Sequence, residues 1–259
     1  MAVVKAKKNL GQHFLIDQNI ARKIVESLSP DSSNVLEIGP GMGVLTQYLF
    51  QSEIQKIIAL DIDRESVAYL KNHYPSFEDQ IQLGDFLHID LAPFFNNEPF
   101  SIIGNFPYNI SSQIFFKVLD HKHRVTEVVC MVQKEVAERL AAKPGTRATG
   151  ILSILLQAYY NIEYLFTVHE DVFQPPPKVK SAVIRLTRNE VTSLGCNEVL
   201  FKQLIKAAFN QRRKMIRNSL KPFLNNPGYA YPFLEKRPEQ LSIADLIELT
   251  NAIENAQNL

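Results

Sequence analysis

The chain has 259 residues, with 28 Lys and Arg against 27 Asp and Glu, two Cys and no Trp. That length holds one large α/β domain and a small second one. Cys130 and Cys196 are too few and too far apart for a disulfide framework or a zinc site, so a reduced, cytoplasmic protein is expected. No segment approaches the apolar length of a membrane span, and the basic stretch 1–9 lacks the apolar core of a secretory signal. The near-zero net charge argues against nucleic acid only as a total; the charge is unevenly spread, and local patches matter more.

Residues 5–15 form a basic arm that runs into Gly11 and Phe14. Asp17 suits the N-cap of a helix reaching about residue 28, with Ile20, Ile24, Val25 and Leu28 on one face. Residues 34–38 read as a short apolar strand, followed by Gly39-Pro40-Gly41-Met42-Gly43 and a helical stretch to residue 50. Strand, glycine loop and helix open a doubly wound fold. A dinucleotide fingerprint requires a glycine at position 44, where this chain has Val44. Alternate glycines behind Glu37 fit instead the methionine end of S-adenosylmethionine (SAM), which carries a carboxylate and an ammonium but no phosphate. Gly39 and Gly41 let the backbone approach such a ligand closely. Nicotinamide binding is the competing reading.

Residues 56–60 form a second strand with Asp61 at its end, placed to accept from both ribose hydroxyls. Asp63 points to the other face of an extended segment and suits the cap of a helix over 64–73. A third strand, 80–83, ends in Gly84-Asp85-Phe86: a carboxylate for the adenine amine and a ring to pack on the base. A fourth, 100–104, delivers Asn105-Phe106-Pro107-Tyr108. That set suits methylation of a nucleobase exocyclic amine, a poor nucleophile because its lone pair is delocalised into the ring. The Asn105 side-chain oxygen and a backbone carbonyl from the turn would accept its N–H groups and favour tetrahedral geometry, while Tyr108 stacks on the base. Read alone, the four residues fit an ordinary strand-to-helix turn better. Four consecutive strands ending in a glycine loop, an acid, an acid and an amide describe the ligand edge of an open parallel sheet.

A fifth strand over 126–132, helices over 134–142 and 149–159, and strands over 162–169 and 182–187 follow. Between the last two strands, Pro175-Pro176-Pro177 makes a stiff, extended segment. It either holds Phe173 at the rim as a second aromatic face for a flipped base, or is a rigid connection with a buried Phe. Strand-like sequence stops near 188–195, which predicts domains over 1–190 and 191–259. Residues 198–222 read as helical, with Phe201, Leu204, Ile205, Ala208 and Phe209 inward. From Lys202 to Lys221 there are seven basic residues and no acid. Lys206, Arg212, Arg213, Lys214, Arg217 and Lys221 would then face phosphate together. A last helix within 238–255 is capped by Ser242. His88, His121, His123 and His169 show no clustered carboxylate partners and read as surface or structural, and no metal is implied.

These residues together resemble the KsgA/RsmA family of small-subunit ribosomal RNA adenine N6,N6-dimethyltransferases over nearly the whole chain. The most specific pieces are Leu10-Gly11-Gln12-His13-Phe14-Leu15, Glu37-Ile38-Gly39-Pro40-Gly41, Gly104-Asn105-Phe106-Pro107-Tyr108-Asn109-Ile110-Ser111, residues 173–181, and Phe209-Asn210-Gln211-Arg212-Arg213-Lys214. The resemblance implies a Rossmann-like class I SAM-dependent methyltransferase domain followed by a small all-α domain. It implies dimethylation of two adjacent adenosines in a hairpin loop near the 3′ end of 16S RNA, on the immature 30S subunit. Cofactor contacts then fall on His13, Leu15, Gly39, Asp61, Asp85 and Asn105, and target-base contacts on Asn105, Tyr108 and Phe173. His13 and Leu15 would close over the cofactor while Lys5, Lys7 and Lys8 meet RNA. Phe106 stands where leucine is more usual, Asp61 where glutamate is commoner and His13 where asparagine is also frequent; none removes a required group. A monomer with no membrane partner is expected. The rivals are an Erm-type enzyme acting on large-subunit RNA and a non-catalytic assembly factor, the latter opposed by the intact Glu37, Asp61, Asp85 and Asn105.

Overall fold

The structure, a computed structural model, describes residues 4–7 and 10–258. It divides into two compact units, Met1–Ala137 with Ile162–Arg188, and Glu138–Asn161 with Asn189–Leu259. The predicted division at 190 is corrected in one respect: residues 138–161 group with the C-terminal helices. The cause is packing: the helix over 151–157 lies against the helix over 198–210.

In the first unit the chain runs β1 (Phe14–Leu15), α1 (Gln18–Val25), β2 (Asn34–Ile38), α2 (Thr46–Leu49), β3 (Lys56–Asp61), α3 (Arg64–His73) and β4 (Ile81–Leu83). It continues through β5 (Phe100–Asn105), α4 (Ser111–Asp120) and β6 (Val125–Gln133), and α5 (Lys134–Ala141) begins in this unit and ends in the second. After α6 (Ile151–Gln157) come β7 (Tyr160–Val168), β8 (Phe173–Gln174) and β9 (Ser181–Arg188). Asp17 and Asp63 cap α1 and α3 as their sequences predict: the Asp17 carboxylate accepts from the N–H groups of Asn19 and Ile20, and that of Asp63 from Glu65. The stretch expected to be helical to residue 50 forms only the four-residue α2, because the chain from 41 to 45 is spent on turns around the glycines.

Seven strands form one sheet in the order β4-β3-β2-β5-β6-β9-β7. β4, β3, β2, β5 and β6 are mutually parallel neighbours, and β9 is antiparallel to β6. The chain moves outward from β2 to β4, then returns to place β5 on the other side of β2. Their carboxyl ends therefore diverge at a topological switch point, the place where open sheets of this kind bind ligands. β2 is buried along its whole length, as a parallel strand covered on both faces must be. One face packs Val35, Ile57, Ile103, Val129 and Val183 against Ala21, Ile24, Leu28, Leu45 and Leu49. Val67 and Leu70 of α3 cover Ala59 and Ile81 near the β4 edge.

In the second unit α6 packs with α7 (Glu198–Asn210), followed by the short α8 (Ile216–Ser219) and by α9 (Ile243–Gln257). Ser242 and Asp245 cap α9 reciprocally: the Asp245 N–H donates to Ser242 Oγ (3.1 Å) and the Ser242 N–H to Asp245 Oδ2 (2.9 Å). The helix expected over 198–222 stops at Asn210. Beyond it, the N–H groups of Ile216 and Arg217 donate to the carbonyls of Lys236 and Leu234, which draws the chain out of the helical path. Gln211–Lys214 is consequently a turn, and its cations follow a helix carboxyl end, where the dipole favours them. Among the described residues no helix is long and apolar enough to cross a membrane.

Candidate active site at the carboxyl edge of the sheet

A cleft of roughly 210 Å³ opens over the ends of β2, β3, β4 and β5, bounded by Gly39, Asp61, Asp85 and Asn105 and roofed by residues 10–14 of the arm. A smaller recess of about 30 Å³ adjoins it between Leu15, Glu37, Gly39 and Asn105. Four of the predicted strand-end groups thus converge on one space. Gly39 has φ +66°, and a Cβ there would project into open space, so the backbone itself forms the wall. Gly41 has φ +57°, and a Cβ would lie 2.8 Å from the Phe14 ring, so a side chain at 41 would push the arm away.

Asp61 is buried, yet both oxygens are engaged: Oδ2 accepts the Gly41 N–H (3.0 Å) and Oδ1 the Asp63 N–H (2.8 Å). Each carboxylate oxygen has two lone pairs, so one on each remains for a ribose hydroxyl. Burial pushes the Asp61 carboxyl above its ordinary value, against the pull of those N–H groups. Glu37 lies deeper, with Oε2 accepting from Thr46 Oγ1 at 2.7 Å. Burial, reinforced by the Asp61 charge, pushes its carboxyl up to about 8, although the Thr46 bond opposes the shift.

Asp85 behaves differently. Partial burial raises its carboxyl, but bonds to His88 Nδ1 (2.7 Å) and from the Leu87 N–H (2.9 Å) outweigh this and hold it below the ordinary range. His88 therefore has a carboxylate partner where none was expected, while its exposed ring fits the surface reading; the two sit three residues apart on the turn after β4. Phe86 is buried at the cleft wall with Lys117 Nζ 5.2 Å from its ring centroid.

At the end of β5, Asn105 Nδ2 donates to the His13 carbonyl (2.9 Å), which leaves Oδ1 as the acceptor for a ligand. The Phe106 ring is buried against Phe115 and its N–H donates to the Met131 carbonyl (3.0 Å). Pro107 completes the turn, and the Tyr108 ring lines the cleft with its hydroxyl bonded to Ser181 Oγ. His13 stacks beside it, centroids 5.7 Å apart and planes 24° apart. His13 Nδ1 lies 2.8 Å from the Pro175 carbonyl, which can only accept, so the ring carries a proton on Nδ1.

Several expected roles are corrected. Phe173 pairs with Leu15 across the β1–β8 ladder and is buried in the core with Val168 and Val183, so it is the buried Phe of a rigid connection and offers no open face to a base. Lys7 Nζ lies 2.6 Å from Asp63 Oδ1 and 3.1 Å from Glu65 Oε1, so this cation latches the arm to α3 instead of facing phosphate. Lys8 lies outside the described residues, and Lys5 is exposed. Arg217 Nη1 pairs with Glu235 Oε1 at 2.6 Å. Lys206, Arg212, Arg213, Lys214 and Lys221 are all exposed, the middle three consecutively on the turn after α7. Leu10, Gln12 and Ile62 also line the cleft and were not singled out as ligands. Ile62 had a signal: an apolar residue set between the acid that ends β3 and the acid that caps α3.

Glu37 yields a stability prediction. An acid raised from 4.5 to about 8 on folding contributes stability fully below about pH 4.5 and loses it as pH rises to about 8, because the unfolded chain releases the proton first. Between about pH 5 and 8, the melting temperature of the cofactor-free protein should fall more steeply than that of Glu37→Gln. Parallel melting curves across that window would contradict the assignment.

Residues 3–252 match the family described as ribosomal RNA adenine dimethylase. The chain is 56% identical over 260 residues to a protein of Phocaeicola vulgatus named "Ribosomal RNA small subunit methyltransferase A", covering 99% of this chain and 92% of that one. It is 56% identical over 256 residues to a protein of the same name from Cytophaga hutchinsonii, covering 98% and 99%. Among solved structures, a dimethyladenosine transferase from Plasmodium falciparum superposes with a TM-score of 0.80 at 26% identity, over 95% of this chain and 98% of that one. The 23S rRNA methyltransferase ErmE shares the fold, with a TM-score of 0.68 at 24% identity over 93% and 99%. The sheet order, the strand-end groups and the full-length match agree: this chain belongs to the ribosomal RNA adenine dimethylase family.

Proposed function

We propose that the protein transfers two methyl groups from SAM to N6 of each of two adjacent adenosines in the 3′-terminal hairpin loop of small-subunit ribosomal RNA. It acts during 30S assembly, in the cytoplasm and as a monomer. The observation that carries this reading is the placement of Asn105, Phe106, Pro107 and Tyr108 beside Gly39, Asp61 and Asp85 at the switch point between β2 and β5. Relatives more than half identical along almost the whole chain, and named for the small subunit, support it against a large-subunit enzyme.

The residues present fit SAM. Asp61 keeps lone pairs for ribose hydroxyls, and Asp85 with the Phe86 ring suits an adenine and its amine. The open wall at Gly39, with Glu37 behind it, suits the methionine end. SAM supplies a methyl group already activated by its sulfonium. The chain's task is therefore positioning, which accounts for most of the rate in such reactions. Asn105 Oδ1 and the Phe106 carbonyl accept the two N6–H groups of the target adenine, holding the nitrogen's lone pair out of the ring system. Tyr108 stacks on the unpaired base, as enzymes acting on extruded bases do. The methylated nitrogen is acidic enough to release its proton to water, so no side-chain base is required. His13 and Leu15 close the cofactor side through the arm, while Arg212, Arg213 and Lys214, with Lys5, Lys206 and Lys221, contact RNA phosphates without reading sequence.

Two outcomes are expected. Asn105→Ala should lower kcat by about 10²-fold or more, the scale of losing one aligned polar group at a reacting centre. SAM binding by calorimetry should weaken far less; equal loss of both would assign Asn105 to the cofactor alone. Replacing Arg212, Arg213 and Lys214 together by glutamine should weaken RNA binding and flatten the plot of log affinity against log salt by about two units. An unchanged slope would remove the turn after α7 from the RNA footprint.

A further inference from the structure

The segment 173–181 places two anchors on the ring pair at the cleft. Phe173 disappears into the core, but the Pro175 carbonyl accepts a hydrogen bond from His13 Nδ1–H, and Ser181 Oγ bonds the Tyr108 hydroxyl. Ser181 is the first residue of β9, fully buried and in register with Gln133 of β6, so its own position is set by the sheet. Tyr108, by contrast, stands on a turn beyond β5. A phenyl ring held only by apolar contact can swing about two side-chain torsions; a bond at the far tip of the ring restrains both. The Tyr108 phenol is raised above its ordinary value by burial, with the Ser181 bond opposing, so the hydroxyl stays protonated at neutral pH.

We propose that Ser181 is a positioning residue for methyl transfer: through its bond to the phenolic hydroxyl it fixes the plane of the Tyr108 ring on which the target adenine stacks. This inference rests on the methyltransferase reading above. It also gives the proline-rich segment a task in place of base stacking by Phe173: the segment is a scaffold for the aromatic wall.

The test is a double-mutant cycle on the intact protein, with unmethylated small subunits as substrate. Ser181→Ala and Tyr108→Phe remove the same bond from opposite ends, and each should lower kcat on the order of fivefold, the scale of one neutral hydrogen bond. SAM affinity should stay within twofold, and the double variant should lose no more than either single one. Tyr108→Phe leaves the buried serine untouched, so it reports even if Ser181→Ala folds poorly. An active wild type with unchanged kcat in Tyr108→Phe overturns the inference alone. So do losses that multiply in the double variant, or a fall in SAM affinity that matches the fall in kcat. A wild type inactive on small subunits overturns the parent reading as well.

Discussion

The reversal of strand order at β2 is the constraint on which the site depends. Because β3 and β5 lie on opposite sides of β2, the loops leaving β2 and β5 must part, and a space opens above them. Parallel pairing then brings the ends of β3 and β4 level with it, so that Asp61 and Asp85 reach the space that Gly39 and Asn105 border. None of these side chains needs an unusual backbone to arrive there. The conformational demands fall on Gly39 and Gly41, where the chain turns in the left-handed region and leaves room for a ligand and for Phe14.

The electrostatics of the edge are graded. Glu37 is the deepest acid, Asp61 is buried but braced by two N–H groups, and Asp85 is partly exposed and paired with His88. Burying carboxylates near one another is unfavourable unless a cation or donors answer them. The arm closes the arrangement: Lys7 is tied to Asp63 and Glu65, His13 to Pro175, and the His13 carbonyl to Asn105. The arm and the turn after β5 are thereby joined through the Asn105 amide.

Much of this was legible in the sequence because it depends on local pattern. Asp17, Asp63 and Ser242 announce their helices, and β2 to β6 appear as short apolar runs that end in polar groups. What was not legible depends on tertiary partners. The basic run after Asn210 keeps a helical pattern, yet the pairing of 216–217 with 234–236 breaks it into a turn. Lys7 and Arg217 look like phosphate ligands until their carboxylates, distant in sequence, are seen. Phe173 could serve either at a rim or in a core, and only the β1–β8 pairing decides for the core. His88 and Asp85 are three residues apart, and their bond depends on a turn geometry that no periodicity reveals.

The activity proposed for this edge is methylation of adenosine N6 in small-subunit RNA. Its most direct test is transfer of labelled methyl from SAM to unmethylated small subunits, large subunits and free large-subunit RNA, each digested and analysed as nucleosides. N6,N6-dimethyladenosine should appear from small subunits alone. Label confined to free large-subunit RNA, or no transfer to any of the three while SAM still binds, would contradict it.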